Sequence, residues 1–274
     1  MLRVSKRHVC LLFAVGLVLL FIALAVAGTT SVVASHNQDH TMNLTDVPVL
    51  NYHKVDNINH SLSISPPEFE EQMQYLHDNG YHTITPDQLV AYLKYGSTLP
   101  EKPIMLSFDD GYLDNYTNAY PIMKKYGFTA TIFVVTNLVG RDPRFMNWDQ
   151  AREMQQEGFV FGSHTVNHVV LTKLSSEEAL NELVDSRLEI EQQLGKPPLY
   201  FAYPTGAYNM QIEDLVRRAG YKAAFTIRYG QVGQDSNIYA LERIPIFKGQ
   251  KTFRSFFIRL NAAPILERLG IIRN

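Results

Sequence analysis

The sequence predicts an α/β fold in which parallel strands alternate with helices. Short apolar runs rich in β-branched and aromatic residues recur through the chain, and amphipathic stretches carrying helix start and stop signals separate them. Residues suited to chemistry stand just after several of these runs, as expected where parallel strands present their C-terminal ends on one face. Such alternation requires a parallel sheet, open or closed into a barrel.

The chain opens with Arg3, Lys6 and Arg7, followed by "VCLLFAVGLVLLFIALAVAG", which holds no charge from Val9 to Gly28. That length spans a bilayer as a helix. Residues 1–28 therefore read as a signal-anchor, with the N-terminus inside and everything after Thr29 outside the cytoplasm. The small residues "AVAG" at 25–28 also suit cleavage of a signal peptide, which would make the product secreted. The only cysteine, Cys10, falls in this segment, so the exported part has neither disulfide nor thiol chemistry. Residues 29–45 show no sustained periodicity and read as a tether. Residues 46–274 carry no internal repeat and read as a single domain.

Within that domain the predicted strands are 47–53 (VPVLNYH), 103–108 (PIMLSF), 129–135 (TATIFVV), 159–164 (FVFGSH), 199–204 (LYFAYP) and 222–227 (KAAFTI). Ser65 with Glu68, and Ser175 with Glu178, have capping-box spacing, and Gly80 and Gly195 stand where helix stops belong. From Ser176 to Leu194, a stripe of Leu180, Leu183, Val184, Leu188 and Ile190 predicts one long amphipathic helix. The apolar stretch from Phe253 onward predicts a closing helix that packs on the domain, or else a membrane-facing patch. Three of the 25 basic residues precede the apolar leader, so the exported part is more acidic than the net charge of −2. A nucleic-acid partner is disfavoured.

The stretch "SFDDGYLDN" sets Asp109 beside Asp110 directly after an apolar run. Neighbouring carboxylates repel, so a fold keeps such a pair in open solvent or around positive charge. "GSHTVNH" supplies His164 and His168, whose spacing on a helical turn would aim both imidazoles one way. Two neutral histidines and a carboxylate make a three-ligand metal site with room for water. One aspartate then serves as ligand while the other remains an ionised base.

These residues resemble a known family. "LSFDDGY" and "SHTVNH" are similar to the two signature motifs of the NodB-type polysaccharide deacetylases, carbohydrate esterase family four, over Val47 to Lys248. The resemblance implies a distorted (β/α)7 barrel and metal-dependent hydrolysis of N-acetyl groups on an N-acetylglucosamine polysaccharide. By motif match, Asp109 is the general base, and Asp110, His164 and His168 hold a divalent ion, zinc foremost, with cobalt or nickel as alternatives. The turn at Tyr203, Pro204 and Thr205 is the candidate oxyanion and substrate contact.

Two departures from the family pattern shape the remaining assignments. Ala202 in "FAYPTG" stands where an arginine is usual, and no histidine follows His168. The opening "VPVLNYHKV" is similar to the branch of intercellular-adhesin deacetylases, in which the acid histidine comes from the first strand; His53 fits that place. Arg243 in "LERIPI" is a candidate to orient Asp109 in place of the missing arginine, with a surface ion pair equally open. Tyr203 and Trp148 suit either a sugar groove or the core. The resulting expectation is a monomeric, membrane-tethered, extracytoplasmic deacetylase of poly-β-1,6-N-acetylglucosamine. Peptidoglycan or chitooligosaccharide deacetylation, or a catalytically silent polysaccharide-binding protein, are the alternatives.

Overall fold

The computed structural model describes residues 46–246 and 253–262. The expected segments 1–28 and 29–45 lie outside them. Among the described residues no helix is long and apolar enough to cross a membrane.

Among the described residues ten strands form: β1 (Val49–Tyr52), β2 (Lys54–Val55), β3 (Ser63–Ile64), β4 (His82–Thr83), β5 (Pro103–Asp110), β6 (Thr131–Val134), β7 (Val160–Ser163), β8 (Tyr200–Ala202), β9 (Ala223–Tyr229) and β10 (Leu241–Pro245). Seven of these pair in parallel in the order β1-β10-β9-β8-β7-β6-β5, and β5 pairs back onto β1, closing a barrel. The ring is uneven, because Leu241 opposes Phe225 while Arg243 opposes Tyr229, a register shift between β9 and β10. β4 adds to the start of β5, and β2 and β3 form a separate small ladder. Closure leaves most of the ring strands buried on both faces, which is why β1, β6, β8 and the first part of β5 read as continuous apolar runs instead of alternating ones.

All six predicted strands are present, with β5 running on through the aspartate doublet. β10 is the ring strand the sequence reading passed over. Its Glu242, Arg243 and Pro245 count against a strand by composition, yet Arg243 is fully buried there.

The two helix starts that the sequence places, at Ser65 and Ser175, are both observed, and further helices stand beside them. Ser65 caps α1 (Pro66–Asp78) with Glu68 completing the box, and Thr85 with Gln88 does the same for α2 (Pro86–Tyr95). Between β5 and β6 lies the short α3 (Tyr120–Lys125), and α4 (Trp148–Gln156) precedes β7. Ser175 and Glu178 cap α5 (Ser176–Leu194), which ends at Gly195 with φ 75°, the left-handed stop glycine favours. α6 (Met210–Arg218) follows β8. The buried stripe of α5 is Ala179, Leu183, Ser186, Ile190 and Leu194. Leu188, expected in that stripe, is exposed, because at 3.6 residues per turn it points about 140° away from Leu183. α7 (Phe253–Phe257) buries Phe256 against Tyr75 of α1, so this part of the late apolar stretch packs on the barrel.

Candidate active site

The aspartate doublet ends β5, His53 follows β1, and His164 follows β7, so the closed ring brings to one mouth residues that are far apart in sequence. Asp110 has φ 75°, which turns the chain sharply at the strand end. Gly111 continues the turn at φ 80°, where an added Cβ would stand 2.9 Å from Val134 Cγ1.

Asp110, His164 and His168 converge. His164 Nε2 lies 3.6 Å and His168 Nε2 3.4 Å from Asp110 Oδ1, and one potential ligand atom from each residue falls within 4.8 Å of the others. His164 Nδ1 meets the Ala202 carbonyl oxygen at 2.7 Å. A carbonyl only accepts, so Nδ1 carries the proton and the Nε2 lone pair is turned toward Asp110. Burial lowers the pKa of both histidines and keeps them in the neutral, ligating form. Burial raises Asp110, and His164 opposes this while the adjacent Asp109 charge adds to it. A buried carboxylate between two neutral imidazoles, with a second carboxylate alongside, is a donor set that fits a divalent cation. The expected helical turn is absent: residues 164–168 are loop, with Thr165 at φ 69° and His168 at φ 55°. The two imidazoles meet because the loop doubles back.

Asp109 faces a different partner. Arg243 Nη1 and Nη2 donate to its two oxygens at 2.8 and 2.7 Å, and both residues are buried. Arg243 is fixed in turn by Nε to the Thr226 carbonyl, 2.7 Å, and by Nη1 to Ser107 Oγ, 3.2 Å, while Ser107 donates to the Leu50 carbonyl. Burial alone would raise Asp109, but the guanidinium, with His164 and His53 adding, holds it well below the usual carboxylate range. The arginine missing at Ala202 is thus supplied from β10, in the core and not as a surface pair. His53 Nε2 lies 4.0 Å from Asp109 Oδ2. Burial pushes His53 down to about 4, with Asp109 opposing and Arg243 and His168 assisting.

The turn after β8 divides differently from expectation. Tyr203 is fully buried and its hydroxyl donates to the Tyr239 carbonyl at 2.8 Å, so its side chain belongs to the core and not to a substrate surface. Trp148 is likewise core. Pro204 has no N–H and is buried, and the amides of Tyr203, Gly206 and Ala207 donate to Phe225, Tyr203 and Pro204 carbonyls. Thr205 is exposed and at φ 59°, and its amide is not among those donors.

Two neighbours of the doublet passed unnoticed in sequence although they lie in the same "DDGYLDN" stretch. Tyr112 is hydrogen-bonded to Asp110 and stacks on Phe145 with ring centroids 4.7 Å apart. Asn115, fully buried at the start of a π-helical turn (Asn115–Ala119), donates to the His53 carbonyl at 2.7 Å. Asp114 beside it accepts the Val55 amide at 2.7 Å. The segment after the aspartate doublet therefore fixes the backbone that carries His53. π turns of this kind gather at functional sites, but their five-residue spacing leaves no composition signal.

Known proteins share both barrel and motifs. A family model described as polysaccharide deacetylase matches residues 96–224. YxkH of Bacillus subtilis (strain 168), assigned by name to the polysaccharide deacetylases, is 36% identical over 203 residues, covering 74% of this chain and 72% of that protein. The poly-β-1,6-N-acetyl-D-glucosamine N-deacetylase of Staphylococcus aureus (strain MSSA476) is 30% identical, covering 72% and 77%. The structure of Streptococcus pyogenes deacetylase PplD in complex with acetate superposes with a TM-score of 0.75 at 30% identity, covering 80% of this chain and 99% of that one. With the doublet, the paired histidines and the closed parallel ring in place, the chain belongs to the polysaccharide deacetylase family, the NodB-type enzymes of carbohydrate esterase family four.

Proposed function

We propose that this polysaccharide deacetylase is metal-dependent and removes N-acetyl groups from an N-acetylglucosamine polymer, poly-β-1,6-N-acetylglucosamine before peptidoglycan or chitooligosaccharides. The observation that carries the chemistry is the division of labour within the doublet: Asp110 faces two neutral imidazoles while Asp109 faces Arg243. A divalent ion, zinc in our reading, would be held by Asp110, His164 and His168 and would supply Lewis acidity toward the acetyl carbonyl and acidify a water. Asp109, kept ionised and oriented by Arg243, takes the proton of the attacking water. The Thr205 amide donates to the oxyanion that develops on the former carbonyl oxygen. His53 Nε2 then protonates the departing amine. Its depressed pKa keeps it neutral at rest, and its position 4.0 Å from Asp109 Oδ2 suits it to receive the proton that Asp109 has collected, since catalytic hydrogen bonds often tighten only when substrate binds.

Support for the polymer comes from the Staphylococcus aureus relative, whose name gives that substrate, and from the placement of His53 after the first strand. The stretch without charge from Val9 to Gly28, behind Arg3, Lys6 and Arg7, supports a membrane-tethered enzyme acting outside the cytoplasm, with 29–45 as tether and 46–274 as the working domain. Deacetylation would leave cationic amines that bind the polymer to anionic cell surfaces. The test is acetate release by the purified, zinc-loaded full chain from poly-β-1,6-N-acetylglucosamine and from peptidoglycan side by side. Release from the first alone supports the reading; release from peptidoglycan alone overturns the substrate, and release from neither overturns both.

A further inference from the structure

The geometry points to Glu182 as the positioning residue that shapes the histidine loop for its metal ion, an inference that rests on the metal-dependent reading above. The loop from His164 to His168 has no repetitive structure, and two of its non-glycine residues, Thr165 and His168, occupy the left-handed region. That conformation is costly for such residues and persists only where surroundings impose it. On the carbonyl side, Thr136 and Asn137 donate their amides to the oxygens of Thr165 and Val166 at 3.2 and 3.0 Å. On the amide side, Glu182 takes the load. Its Oε2 accepts the Val166 and Asn167 amides at 2.9 and 3.0 Å, and its Oε1 accepts Asn167 Nδ2 at 2.6 Å.

Three donors converging on one carboxyl group define an anion-shaped cradle, with both of its oxygens accepting. Glu182 stands one residue before Leu183, whose burial anchors this part of α5 to the barrel, so the cradle is referenced to the core. The two histidines depend on it unequally. His164 is almost fully buried and its ring is held by the Ala202 carbonyl, whereas the His168 side chain is 39% exposed and is placed through its backbone, with its amide on Thr165 Oγ1 at 2.9 Å. Loosening the Val166 and Asn167 amides therefore displaces His168 first. Glu182 touches no reacting atom; it acts by presenting the second imidazole to the ion.

The experiment is a competitive zinc titration of the metal-free full chain against a chromophoric chelator, with the visible absorption of the cobalt-loaded protein as a second readout. Glu182→Gln puts an amide donor against the loop's own donors, and we expect zinc affinity to fall about 10–100-fold, the usual range for loss of an outer partner of a ligand. The cobalt bands shift, while the unfolding midpoint of the metal-free protein changes little. Asn167→Ala removes the single exposed arm and gives a smaller loss of affinity in the same direction. Wild-type affinity and spectrum in both variants overturn the inference; so does an affinity loss that only tracks a lower unfolding midpoint. If Glu182→Gln does not fold, Asn167→Ala decides alone by the same criteria. A wild-type chain that takes up no divalent ion overturns the metal-dependent reading itself, and this inference with it.

Discussion

Arg243 closes a two-bond fork on both carboxylate oxygens of Asp109, at 2.8 and 2.7 Å, with each residue buried. The fork joins β10 to β5, strands that do not pair with one another, across the barrel interior. It orients Asp109, the proposed base, and keeps it ionised in surroundings that would otherwise neutralise it. Arg243→Ala leaves a buried charge without its partner and is expected to cost about 3–5 kcal/mol of stability. Arg243→Lys keeps the charge but loses the planar fork; we expect a folded protein whose kcat falls at least about tenfold with KM little changed. Steady-state kinetics beside urea unfolding check both, and a lysine variant with wild-type kcat would remove the orienting role.

The two aspartates separate by their losses. Asp109→Asn keeps the Arg243 contact in part and leaves Asp110, His164 and His168 untouched, so metal content stays and turnover falls about 100-fold or more, the scale for a lost general base. His164→Ala removes one metal-facing imidazole and the bond to the Ala202 carbonyl, so metal content itself falls. Measuring bound zinc together with acetate release distinguishes the two. Equal activity of wild type and Asp109→Asn would refute the base assignment.

Much of this site is legible in sequence because its members are local motifs at strand ends. "SFDDG" and "SHTVNH" each bring a pair of functional groups within a few residues, and the chain need only close a barrel to unite them. Arg243 is legible as a candidate but not as a buried one, because Glu242 and Pro245 disguise β10 as a loop and its partner lies 134 positions away. Tyr203 misleads for the opposite reason: it sits inside the candidate turn, yet its ring points into the core and its hydroxyl is satisfied by Tyr239. The Asn115 contact to His53 is invisible because backbone carbonyls carry no sequence signal. Leu188 shows the limit of counting apolar residues on α5: helical geometry sets the stripe, which takes in the small residues Ala179 and Ser186, the latter hydrogen-bonded to Ser163 of β7.

Asp114 gives the chain a pH-dependent stability term with a definite sign. Burial pushes its carboxyl up to about 6, with the Val55 amide partly opposing and Asp56 adding. A group that holds its proton more tightly when folded stabilises the fold fully below its unfolded value near 4, and this contribution is lost as pH rises through about 6. The span corresponds to roughly 2–3 kcal/mol. Asp114→Asn keeps an acceptor for the Val55 amide and cannot ionise, so the variant should gain on the wild type as pH rises from about 4 to about 7. Urea unfolding of both proteins across that range checks the difference, and a gap independent of pH would contradict it.

Gly206 ties the turn proposed to hold the oxyanion to the barrel, and the fold itself provides the control for testing it. Gly206 and Gly80 both have φ of +72°, so alanine at either pays the left-handed cost of about 1–2 kcal/mol. At Gly80 an added Cβ meets nothing within 4 Å, whereas at Gly206 it would stand 2.4 Å from Ile227 Cγ1 and 2.9 Å from the Ile227 backbone nitrogen. Ile227 belongs to β9, next to the Thr226 carbonyl that holds Arg243. Relief must therefore move either the strand or the turn carrying Thr205, and overpacking of this kind adds about 1–3 kcal/mol. Gly206→Ala should lose more stability than Gly80→Ala by that margin. It should also lose turnover, because the Thr205 amide shifts away from the oxyanion position, while Gly80→Ala keeps wild-type kcat. Equal kinetics in the two variants, each compared at a temperature where it is fully folded, would show that the turn does not serve the reaction.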